Sequence, residues 1–137
     1  MINIKQMLFI SLVALFCMSA AEKQKIDLGL AVKNNAISIS MLGNENSTHY
    51  YEPVLANMNN NSMDYLEINM PAGTLLEPAN EEEQTLIVTE DLIVDLSPKQ
   101  SKMVKVKAMC IEPWDRAGGV ASIYSLKTNK NDTLIKL

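Results

Sequence analysis

Short runs in which apolar and polar residues alternate, each closed by a polar turn, constrain this chain more than any other feature. The clearest runs from Lys102 to Cys110: Val104, Val106, Ala108 and Cys110 fall on one face, and Met103, Lys105, Lys107 and Met109 on the other. A period of two is that of an extended strand with one face buried, and lysines on the outer face discourage edge-to-edge pairing. The same period recurs from Tyr65, where Leu66, Ile68 and Met70 share a face until Pro71-Ala72-Gly73 stops the run. It recurs again at Leu92, Val94 and Leu96.

Other segments fit this reading. Ile26 to Lys33 and Ala36 to Leu42 alternate on either side of Asn34-Asn35, and asparagine tolerates the left-handed backbone of a tight turn. The pair is therefore expected to form a β-hairpin. Tyr50 to Met58 is a further strand candidate, with Pro53 marking an edge or a bulge. Glu77 to Gln84 reads as an acidic turn, and Thr85 to Thr89 as another short apolar run. Val120 to Leu126 reads as a last strand, and Asp132 to Leu137 as the start of a helix, within a tail that begins near Gly118. No strand–helix–strand alternation appears, which argues against parallel pairing. The expected fold is all-β, an antiparallel immunoglobulin-like sandwich of about seven strands.

The first 21 residues belong to a different class. Lys5 is the one charge before an apolar run from Met7 to Met18, and Ser19, Ala20 and Ala21 precede the first acid, Glu22. This is the pattern of a secretory signal peptide cleaved after Ala21, and the run is too short to span ~30 Å of hydrocarbon. The expected organisation is a signal peptide over 1–21 and a single β-sandwich domain over 22–137. A periplasmic or extracellular location follows, with no transmembrane segment after cleavage. Phe16 stands where a lipoprotein signal has a small residue, which argues against anchoring through Cys17.

Cleavage would leave 11 basic against 16 acidic residues, a formal charge of −5. That balance argues against nucleic acid and anionic membranes as partners. One thiol, Cys110, would remain, so no internal disulfide can form. Both phenylalanines, Phe9 and Phe16, lie in the leader. Ile, Leu, Val and Met must then build the core, each contributing roughly 1.5–3 kcal/mol when fully buried.

The candidate chemistry is sparse. His49 is the single histidine and has no nucleophile-elbow motif to serve. One histidine cannot complete a blue-copper set with Cys110 and the methionines, which instead suit core packing. Glu81-Glu82-Glu83 is contiguous, unlike the alternating oxygen ligands of a calcium loop. No catalytic residue, metal ligand or cofactor is expected. Trp114, flanked by Pro113 and Arg116, lies just past the Lys102–Cys110 run; it either caps the core or stands at the end of the sandwich as a partner contact. Sequons occur at Asn46, Asn60 and Asn131.

Four segments carry a resemblance: Met70-Pro71-Ala72-Gly73-Thr74, Gln84-Thr85-Leu86-Ile87-Val88, Leu96-Ser97-Pro98 and Ala108-Met109-Cys110-Ile111. In that order they are similar to exported, largely uncharacterised proteins of the Bacteroidota type with an immunoglobulin-like β-sandwich, over roughly residues 28 to 126. The leader, the β-rich pattern and the lack of an assembled catalytic set together lead to the expectation of a non-enzymatic binding or structural domain at the cell envelope, its partner a protein or glycan. A second likeness is to chagasin-type inhibitors of cysteine proteases, which present a Pro-Trp loop as Pro113-Trp114 could. Their second loop would fall at Asn46-Ser47-Thr48-His49-Tyr50, which lacks that family's Pro and Gly, and Glu112 stands where they have Arg.

Overall fold

The structure, a computed structural model, describes residues 22–45 and 50–127. The expected leader over 1–21, Cys17, His49, the inhibitor-like Asn46–His49 stretch, the Asn46 and Asn131 sequons and the expected C-terminal helix lie outside the described residues. Nine strands and one helix are present among them: β1 (Gln24–Asp27), α1 (Leu28–Lys33), β2 (Ile37–Gly43), β3 (Tyr50–Asn60), β4 (Leu66–Met70), β5 (Leu75–Pro78), β6 (Leu86–Val88), β7 (Leu92–Leu96), β8 (Ser101–Cys110) and β9 (Ile123–Leu126). The all-β expectation holds. There are nine strands rather than seven, in a three-stranded sheet β1-β4-β7 and a six-stranded closed barrel β2-β3-β8-β6-β5-β9.

Closure is confined to one half of the barrel. β3 pairs along most of its length with both β2 and β8. By contrast, β2 meets β9 only through Met41 and Leu42, and β8 meets β6 only through Ala108–Cys110. The other halves of β2, β3 and β8 share one continuous core with α1 and the three-stranded sheet, giving a sandwich-like layer there. Ile37, Met58 and Val104 from the barrel join Leu28, Leu66, Ile68, Met70, Val94 and Leu96 in that core.

The predicted inward faces are correct in β4, β7 and β8: Leu66, Ile68, Met70, Val94, Leu96, Val106 and Ala108 are all buried. Pro53 does mark a bulge. Tyr51 opposes Ala108 and Val54 opposes Val106, so three steps on β3 match two on β8, and Tyr51 takes a left-handed φ of 73°.

Further expectations fail. Residues 28–33 form a helix, not the first arm of a hairpin. The Asp27 carboxylate accepts the N–H groups of Gly29 (2.9 Å) and Leu30 (3.2 Å), an N-cap that a strand would not use. Leu28 and Ala31 face the core while Leu30 is half exposed, a helical phase. Asn35 does adopt left-handed backbone, φ 56°, but as the residue after a helix end. Its N–H donates to the Val32 carbonyl and that of Ala36 to Ala31, a Schellman closure.

Parallel pairing also occurs, since β1 runs parallel to β4, with α1 and β2–β3 providing the long return. The acidic turn is shorter than expected, because Glu77 and Pro78 belong to β5 and pair with β9. The methionines divide: Met41, Met58 and Met70 are buried, while Met63, Met103 and Met109 are exposed. No helix among the described residues is long and apolar enough to cross a membrane.

Candidate functional site

Strand direction sorts the loops. Passages between the two sheets come before β2, after β3, before β5, after β6 and before β8, all toward one end. The end of β2 at Gly43 and the start of β3 at Tyr50 lie at the opposite end, as do the connections 79–85 and 111–122. The last carries Pro113, Trp114 and Arg116, which the structure therefore brings to the free end of the barrel.

The loop holding Trp114 is fastened on both sides to the 79–85 loop. Before it, the Ile111 N–H donates to the Thr85 carbonyl at 3.1 Å, and the Thr85 N–H donates to Glu112 Oε2 at 2.7 Å. After it, the Arg116 N–H donates to the Glu82 carbonyl and the Gln84 N–H to the Arg116 carbonyl, both at 3.0 Å. Glu83 and Arg116 form an isolated parallel bridge, and the Arg116 guanidinium lies 3.6 Å from Glu83 Oε1. The buried Gln84 side chain donates through Nε2 to the Asp115 carbonyl. Within the turn, the Asp115 N–H reaches the Glu112 carbonyl.

Trp114, between these clamps, is 94% exposed. It does not cap the core. An indole left wholly in water contributes nothing to burial, while the backbone beneath it has already lost its freedom. That combination is the one a binding anchor uses, because the ordering cost of association has been met in advance.

Charge and thiol chemistry at this end follow from the same contacts. Hydrogen bonds from the Thr85 backbone, then its hydroxyl, hold the Glu112 carboxyl below the usual carboxylate range. Burial pushes the Tyr124 phenol up, with the nearby Glu83 charge adding to it. Burial also pushes the Cys110 thiol up, and the residue is half buried at the end of β8 beside the core. Glu83 Oε2 and Gln84 Oε1 are buried with no hydrogen-bond partner among the described residues. No group of three or more His, Cys, Asp or Glu side chains converges as a metal site among the described residues.

Sequence reasoning picked out Trp114 but missed an outward-facing row on the barrel. Tyr50, Met109, Ile87 and Leu75 lie in one register row across β3, β8, β6 and β5, on the barrel's outer face. Tyr50 is 73% exposed. Only the cross-strand pairing reveals that row. No family model, curated protein or solved structure matches the chain.

Proposed function

We propose that this chain is a non-enzymatic, exported binding domain of the cell envelope, a variant of the immunoglobulin-like sandwich in which one half closes into a barrel. Export follows from the leader-like pattern of residues 1–21. The observation that carries the binding reading is Trp114, 94% exposed between two backbone clamps. Pro113 fixes the turn beside it, and Arg116 supplies a charged group 66% exposed in its side chain. The partner is a protein or a glycan met at the free end of the barrel.

Trp114 is the only tryptophan, so its fluorescence reports directly on this site. The free protein is expected to show solvent-exposed emission, readily quenched by acrylamide. Titration with soluble envelope glycans and with candidate proteins should find one that shifts the emission to the blue and protects it from quenching. Trp114→Ala should abolish binding measured by calorimetry while leaving the melting temperature unchanged. Emission already blue-shifted in the free protein would overturn the reading, and so would binding that survives the substitution.

A second reading, inhibition of papain-like cysteine proteases, shares the exposed Pro113-Trp114 turn. Glu112, however, directs its carboxylate inward to Thr85. An assay of papain with the protein at high micromolar concentration decides it: no inhibition removes this reading.

A further inference from the structure

We infer that the partner is a protein surface that surrounds an apolar pocket with Lys and Arg side chains. This rests on the binding reading above and adds the chemistry of the ligand. The first observation is where the apolar surface lies. Trp114, Tyr50, Met109 and Ile111 are exposed at the free end, and across the barrel Leu42 and Ile123, paired in register, are exposed there too. Large apolar side chains scattered singly mean little, and Leu30, Met63, Tyr65, Ile93 and Met103 are exposed elsewhere; what sets the free end apart is the indole, 94% exposed on a loop bonded on both sides.

The second observation is charge. The described residues between strands at the free end, 44–45, 79–85 and 111–122, carry six acids, Glu45, Glu81, Glu82, Glu83, Glu112 and Asp115, against one base, Arg116. Their formal charge of −5 exceeds the −4 of the whole chain, so the rest of the molecule is close to neutral. Glu83 and Glu112 are engaged inward, leaving Glu45, Glu81, Glu82 and Asp115 exposed in the loops of the same end as the indole. An apolar anchor in an acidic rim is complementary to a cationic rim around a pocket. It repels phosphorylated or sulfated glycans, nucleic acid and anionic lipid.

The test is selection of a random peptide library displayed on phage against the purified chain, followed by affinity measurement on synthetic peptides of the enriched sequences. Enriched peptides are expected to combine Lys or Arg with at least one large apolar residue. Trp114→Ala should weaken them at least about tenfold. The triple variant Glu81→Gln, Glu82→Gln, Asp115→Asn should weaken them about three- to tenfold, as should raising NaCl from about 50 to 300 mM. Melting curves must match the wild type for each variant.

Neutral or acidic peptides, salt-insensitive affinity or no enrichment would overturn the inference. A neutral glycan whose binding needs Trp114 would overturn it as well, yet leave the binding-domain reading standing. If Trp114→Ala alters neither peptide nor glycan binding, both fall.

Discussion

Glu112 Oε2 accepts the backbone N–H of Thr85 at 2.7 Å, joining the loop that displays Trp114 to the start of β6. A carboxylate accepting such bonds is favoured in its charged form, so the Glu112 carboxyl titrates below its unfolded value. A depressed carboxylate contributes stability above the unfolded pKa of about 4.3, and that contribution is lost as pH falls through the folded value. Thermal melts from pH 7 to pH 3 should therefore show a decline in acid that Glu112→Gln makes shallower. The Glu67 carboxyl, held low chiefly by Lys23, adds to the wild-type slope, so the difference between the two curves isolates Glu112. Superimposed curves would show that this contact does not fasten the loop.

Asn60 is buried at the end of β3 with its carboxamide fully used. Nδ2 donates to the carbonyls of Asp64 (2.8 Å) and Ser97 (2.9 Å), and Oδ1 accepts from the Ser62 N–H (2.9 Å) and hydroxyl (2.7 Å). It ties β3 to the turns flanking β4 and β8. Asn60→Ala strands these groups and should cost about 2–3 kcal/mol in urea unfolding. For the same reason the Asn60-Asn61-Ser62 sequon should carry no glycan on the folded protein, which intact-mass measurement after expression in a glycosylating host would check.

Gly43 is held against the 111–122 loop. A Cβ built there would lie 1.8 Å from the Gly119 carbonyl oxygen, and that obstacle is backbone. Gly43→Ala must push the loop away from β2 and should cost at least about 1–3 kcal/mol. Hydrogen exchange should show faster opening at residues 119–122 than in the wild type.

The helix α1 rests on its two ends. Asp27→Ala removes the N-cap and should cost about 1 kcal/mol. Asn35→Val places a branched side chain at φ 56° and should cost about 1–2 kcal/mol, whereas Asn35→Gly should be neutral or stabilising. Equilibrium unfolding of the three variants gives the order directly.

Cys110 is half buried with its thiol pushed up, so little thiolate exists at neutral pH. Ellman's reagent at pH 7.5 should react with it slowly in the native protein and rapidly in 6 M guanidinium. Equal rates would place the thiol in solvent.

The alternating patterns by themselves determined which residues of β4, β7 and β8 point inward and where Pro53 breaks the β3 register. Both are local properties: side chains change face at every residue, and proline lacks the donor a ladder needs. Tertiary structure decided the rest. Leu28 and Val32, four residues apart, share a face in either period, and the Asp27 cap together with burial of Ala31 against the core selected the helix. Nothing local assigns β6 to the barrel and β7 to the other sheet, or sets β1 parallel to β4, because those choices depend on partners many residues away. The exposure of Trp114 was decided in the same way: the 79–85 loop, bonded on both sides of the turn, holds the indole out in water.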